Sequence, residues 1–185
     1  KRFTPARMIP RPQRDIPVVY GVDPVYQRIS SLRVVAGRFF DADENARAAA
    51  VCVLGEAAKA GLFPQEDPLG KTVKVNDQWF RVIGVVAPQV SLQSEVAGVP
   101  AQDRNNLIYV PLNAAYFRLE DNRSEMKDEI DGIYLQLEPE TDSIQTAEVV
   151  RGLLNTSHRN AGDFSVIVPA ELLAEQKRTQ RIFDM

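Results

Sequence analysis

The run Glu66-Asp-Pro-Leu-Gly-Lys-Thr-Val-Lys-Val-Asn-Asp-Gln-Trp-Phe-Arg-Val-Ile-Gly-Val-Val86 constrains this chain most. Pro68 and Gly70 punctuate a turn. Val73 and Val75 then alternate with polar residues, the period of a strand with one buried face. Asn76-Asp77 suits the tight turn of a two-residue hairpin. Trp79 to Val86 return as a strand that ends continuously apolar. A chain built around such a hairpin must contain a sheet, and the surrounding segments decide what covers it.

Further strands are expected at Ile16–Val22, Leu32–Phe40, Ala49–Leu54 and Leu107–Val110. Ile130–Leu137 alternates, with Ile133, Leu135 and Leu137 on one side, and Phe164–Val168 is a short apolar run. Helices are expected over Gly55–Phe63, from Pro111 through Leu119, and from Ala170 to about Phe183, since proline suits a first helical turn. Asp142 followed by Gln145 reads as a capping box, with Ile144, Ala147, Val150 and Leu154 at helical spacing behind it. Asp41–Ala48 is polar and reads as loop. Residues 1–16, rich in proline and arginine, favour extended backbone as an edge or linker. Pro88–Asn106 carries no period, and a loop this long is commonly functional.

These elements predict an α+β fold. The strand–helix–strand unit from Ile130 to Val168 is expected to pair with strand 17–22 from the other end of the chain. This makes 1–35 plus 128–185 one discontinuous α/β subdomain, and 36–127 an inserted, mainly-β subdomain.

Few residues point to chemistry. With 44% hydrophobic residues the chain can bury a core, and a net charge of −3 gives no basis for nucleic-acid binding. Cys52 is the only cysteine and sits in the apolar run Ala50-Val-Cys-Val-Leu54, so burial is expected. His158 is the only histidine, near a predicted helix C-terminus where a cation is favourable. A Cys52–His158 nucleophilic pair is disfavoured because the two lie in different expected subdomains. Zinc clusters are excluded by count. The acidic groups Asp41, Asp43, Glu44 and Asp128, Glu129, Asp131 lack EF-hand spacing. Gly70-Lys71-Thr72 superficially matches a phosphate loop, but Gln65 stands where its first glycine belongs and a strand follows instead of a helix. No catalytic, cofactor or metal residue is therefore assigned. No apolar run approaches the roughly 20 residues that cross a bilayer. With Lys1-Arg-Phe3 at its start, the chain reads as a piece of something longer.

Eight short segments, in order, resemble one family. They are Gly21-Val-Asp-Pro-Val-Tyr26, Gly37-Arg-Phe-Phe40, Val51-Cys-Val-Leu-Gly55, Leu62-Phe63 with Asp67-Pro-Leu-Gly-Lys71, Phe80-Arg-Val-Ile-Gly-Val85, Ile108-Tyr-Val-Pro-Leu112, Asp163-Phe-Ser-Val-Ile-Val168 and Ala170-Glu-Leu-Leu173. The chain thus resembles the MacB-like periplasmic core domain of ABC-transporter permeases. The resemblance implies a porter-like subdomain from both ends of the segment, lacking here its N-terminal strand and helix, with a mainly-β insert. It implies a location on the periplasmic face of the bacterial inner membrane and a non-catalytic part in export or mechanotransmission. The implied partners are an ABC ATPase domain or subunit, a membrane-fusion adaptor and a second permease copy, with no cofactor. It also implies that Lys177, Arg178 and Arg181 lie close to the membrane. Two other readings stand beside it: a free-standing periplasmic binding or adaptor module, and a hydrolase using Cys52.

Overall fold

The computed structural model describes residues 2–3, 16–89, 105–119, 130–157 and 164–168. The chain divides into two units, Lys1–Tyr134 and Leu135–Met185.

The first unit is organised by a seven-stranded mixed sheet. In chain order its elements are β1 (Arg2–Phe3), β2 (Val18–Val22), α1 (Tyr26–Ile29), β3 (Val34–Gly37), α2 (Ala42–Ala46), β4 (Val51–Leu54), α3 (Glu56–Leu62), β5 (Thr72–Val75), β6 (Gln78–Val86), β7 (Leu107–Pro111) and α4 (Leu112–Arg118). The strand order is β1-β2-β7-β4-β6-β3, with β5 pairing the first half of β6 and β3 its end. The β2/β7 and β4/β6 pairs are parallel, and the others antiparallel.

The expected hairpin is present. Val75 pairs with Gln78 across a two-residue connection in which Asn76 takes φ +52°. Asparagine tolerates that left-handed conformation better than most residues, which is why it suits the position. Val73, Val75, Phe80 and Val82 face one core, and Thr72, Lys74, Trp79 and Arg81 face outward. Between Cys52 and Val53 the β4/β6 register jumps from Val82 to Gly84, so Ile83 is an extra residue in β6. Such a bulge reverses the alternation, and the two-face period of Trp79–Val82 gives way to the buried run Gly84-Val-Val86. The chain after β3 crosses this bulge at backbone contact. A Cβ on Gly84 would lie 2.2 Å from the Arg38 carbonyl oxygen, and one on Gly37, at φ +66°, would lie 2.1 Å from the Ile83 carbonyl oxygen. Both positions therefore require glycine.

Strands β4 and β7 are buried along their whole length because both faces of the sheet are covered. On one face, Cys52, Leu54, Ile108 and Val110 pack with Phe80 and with Ala58, Ala114 and Ala115 of the helices. On the other, Val51, Val53, Leu107 and Tyr109 pack with Leu32, Phe39 and Phe40. The Tyr109 ring centroid lies 6.1 Å from those of both Tyr26 and Phe39, and Tyr134 meets Tyr26 edge-on at 5.2 Å. Burial of one such side chain stabilises by roughly 1.5–3 kcal/mol.

In the second unit, α5 (Ser143–Ser157) realises the helix expected after Asp142. The Asp142 Oδ1 accepts from the N–H groups of Ile144 and Gln145 at 2.9 and 3.0 Å, which satisfies two of the helix's free donors.

Three expectations are corrected. Strand β2 pairs not with the C-terminal segments but with β1 and β7, five residues in register from Val18–Leu107 to Val22–Pro111. Ile130–Leu137 and Phe164–Val168 carry no strand. Alternation supplies an apolar side, but a strand also needs a neighbour for its N–H and C=O groups, and no ladder reaches these residues among those described. Asp41–Ala48, read as loop, contains α2, whose first turn is closed by a capping box. The helix expected from Ala170 lies outside the described residues.

Candidate functional site

Those residues singled out for chemistry that fall among the described ones are taken up by structure. Cys52 is fully buried in β4, and desolvation pushes its thiol up to about 12, where the nucleophilic thiolate is scarce. Gly70 takes φ +77° in the turn before β5, Lys71 pairs with Glu66 and lies 5.8 Å from the Phe63 ring centroid, and Thr72 opens a strand. A strand follows this turn where a P-loop would continue into a helix N-terminus. His158, Asp128, Glu129, Lys177, Arg178 and Arg181 lie outside the described residues. Among the described residues no cluster of three His, Cys, Asp or Glu is placed to hold a metal.

The acidic group at 41–44 has a defined task. Glu44 is nearly fully buried, and its Oε2 and Oε1 accept from Arg38 Nη1 and Nη2 at 2.7 and 2.8 Å. Glu44 Oε2 also accepts from the Asp41 N–H at 3.2 Å, while Asp41 Oδ1 accepts from the Glu44 N–H at 2.8 Å. The guanidinium bonds hold the Glu44 carboxyl below the ordinary carboxylate range, against the desolvation that raises it. The Arg38 guanidinium is raised in turn, chiefly by the same bonds. Arg38 Nη1 also donates to the Phe39 carbonyl at 3.1 Å. This fork-to-carboxylate pair fixes α2 and the Phe39-Phe40 lid against the sheet. The motif Gly37-Arg-Phe-Phe40 is legible in the sequence, but its partner Glu44 does not stand out there. The available signal was Asp41 followed three residues later by Glu44.

What the first unit offers outward is surface. A shallow depression over the β6 bulge is lined by Gly37, Arg38, Leu69, Gly70, Arg81 and Ile83. Beside it on β6, Trp79 is 60% exposed with Lys74 Nζ 6.0 Å from its ring centroid. On α4, Phe117 is 71% exposed and stacks edge-on with Tyr116.

Comparison with known proteins agrees with this architecture. The family model described as MacB-like periplasmic core domain matches residues 4–153. The macrolide export ATP-binding/permease protein MacB of Bdellovibrio bacteriovorus is 28% identical over 172 residues, covering 90% of this chain and 25% of that protein. The same protein of Marinobacter nauticus is 40% identical over 86 residues, 46% of this chain and 12% of the relative. The pyoverdine export ATP-binding/permease protein PvdT of Pseudomonas syringae pv. syringae is 27% identical over 168 residues, 90% of this chain and 24% of the relative. The chain thus spans about a quarter or less of the length of these curated relatives. The crystal structure of the periplasmic region of MacB from Actinobacillus actinomycetemcomitans superposes with a TM-score of 0.62 at 24% identity, over 88% of this chain and 65% of that one. That likeness establishes the mixed α+β fold. With the family model covering most of its length, the chain belongs to the MacB-like periplasmic core domain family.

Proposed function

We propose that this chain is the extracytoplasmic domain of an ABC-transporter permease, and that it takes no bond-making part in transport. In this reading it couples ATP hydrolysis in the cytoplasm to export, or to mechanical signalling, across the inner membrane. The family match over residues 4–153 carries the reading. The inert Cys52 and the Arg38–Glu44 link, which serves packing, support a non-catalytic role. The ATPase would be a domain or subunit of the parent protein, in keeping with relatives that are named ATP-binding/permease proteins. A membrane-fusion adaptor and a second permease copy complete the proposed assembly. Residues 128–185 would belong to the porter-like subdomain. The sheet of the first unit, which contains β2, would be the mainly-β one.

The test uses the parent protein in membranes. Replacing Lys1–Tyr134 by a flexible linker should leave ATP hydrolysis measurable and abolish export. Export that survives the replacement overturns the reading. Apolar runs of about 20 residues flanking the segment in the parent are a further requirement. A free-standing adaptor module would lack them.

A further inference from the structure

Helix α2 has only five residues, yet two successive ones tie it to different parts of the first unit. Glu44 accepts both guanidinium bonds of Arg38, which lines the depression over the β6 bulge. The next residue turns to α4: Asn45 Oδ1 accepts from the Asn113 N–H at 3.1 Å. Asn113 lies in the first turn of α4, whose N-cap, Pro111, provides no side-chain cap. Asn45 therefore satisfies a donor that α4 leaves open.

The far end of α4 answers the end of α2. Arg118 Nε donates to the Ala48 carbonyl at 2.6 Å. Ala48 follows α2 at φ +49°, a left-handed conformation that helix ends usually give to glycine. Here alanine packs against the core that includes Cys52 and Ala115, and the chain turns back at once, the Ala49 N–H reaching the Glu44 carbonyl at 2.8 Å. Each helix thus serves the backbone of the other, Asn45 at the start of α4 and Arg118 just past the end of α2.

We propose that α2 is a coupling element between the sheet bulge and α4, with Asn45 and Arg118 as its positioning residues. Glu44 and Asn45 are consecutive in a helix of little more than one turn, so a shift of one is a shift of the other. A change at the depression that moves Arg38 is then felt at Asn113 through Glu44 and Asn45. What such coupling requires is a shared element that both ends bias, and α2 is that element. It lies within the first unit and holds whether or not the chain serves export.

A double-mutant cycle on the full chain tests this, with Arg38→Met, Asn45→Ala and the two combined, read from urea unfolding. The combined change should shift the unfolding constant about fivefold less than the product of the single effects, because α2 is already slack once one tie is cut. Arg38→Lys keeps the charge without the fork and replaces Arg38→Met in the cycle if the methionine variant does not fold, with a smaller departure expected. Amide exchange supplies a local reading. In the Arg38 variant the Asn113 N–H should exchange about fivefold faster relative to the Val25 N–H, which the Asp23 carboxylate holds outside this path. General loosening would move both amides together. Effects that multiply to within about twofold overturn the proposal, because the two ties would then be independent. An Asn113 amide that keeps pace with Val25 overturns it as well, because the change at Arg38 would then stop short of α4.

Discussion

In β4 and β7 every residue is buried, from Val51 to Leu54 and from Leu107 to Pro111, whereas in α5 Val149 and Leu153 are 63% and 64% exposed and only Ser143 and Ala147 are buried. The two regions are held by different terms. Packing on both faces, and backbone contact at the bulge, hold the sheet. For α5 the local terms stand out: the Asp142 cap, the Thr146 hydroxyl donating to the Asp142 carbonyl at 2.8 Å, and the Glu148–Arg151 pair. The contrast teaches that the first unit should respond to volume and backbone shape, and the helix of the second to the chemistry of its ends.

The sharpest way to break this contrast is Gly84→Val. The new side chain meets the Arg38 carbonyl, which is backbone and cannot yield cheaply. The first unit should lose about 4 kcal/mol or fail to fold, while the helical circular-dichroism signal of a separately expressed 135–185 fragment tells how much of α5 is independent of it. A urea midpoint for Gly84→Val within error of the parent would show that the crossing is looser than its geometry. Phe80→Ala comes next. It empties a fully buried site and should cost about 3–5 kcal/mol, read from the urea midpoint.

A smaller effect belongs to the link between sheet and α2. Arg38→Met strands the buried Glu44 carboxylate and should cost about 2 kcal/mol near neutral pH. The half-exposed guanidinium keeps this below the cost of breaking a fully buried pair. Glu44 is held below its ordinary value of 4.5, so its contribution is present above that value and is lost as pH falls through the lower folded one. The gap between parent and variant should therefore be full near neutral pH and narrow as the pH drops below 4.5. A gap that widens on acidification would reverse the assignment.

How much of this was legible in the sequence follows the same divide between local and long-range terms. The β5–β6 hairpin, α3, α4 and the Asp142 cap were readable because period, turn residues and caps act over a few neighbours. The fold class and the family were readable from eight ordered motifs, of which Gly37-Arg-Phe-Phe40 and Phe80-Arg-Val-Ile-Gly-Val85 prove to meet at the bulge. The partner of β2 was not readable, since nothing in Val18–Val22 distinguishes β7 from any other buried strand. Helix α2 was not readable as a helix because its composition is polar and only its capping box marks it. The Arg38–Glu44 link, six residues apart, escaped because the pairing depends on the turn that Gly37 makes possible.

Asp142→Ala should cost about 1 kcal/mol and act on α5, read as reduced helical signal with the first unit's midpoint unchanged. The smallest effect is expected for Leu153→Glu, within about 0.5 kcal/mol, as for other exposed positions. A loss of several times that would mean that the apolar row of α5 is covered in solution, and the contrast between the two regions would disappear.

The pairing of β2 with β7 also sets a clock. Val18 and Leu107 are neighbours in the sheet but about ninety residues apart in the chain, and parallel β4 and β6 add a second long closure. Folding of such a topology is slow, since distant segments must meet before their contacts reward the search. During synthesis the strand at Val18–Val22 emerges before β7 and waits for it. Until Pro111 has been delivered to the same compartment, that strand lacks the parallel partner that buries it, and its exposed edge is what a chaperone on the receiving side would have to shield.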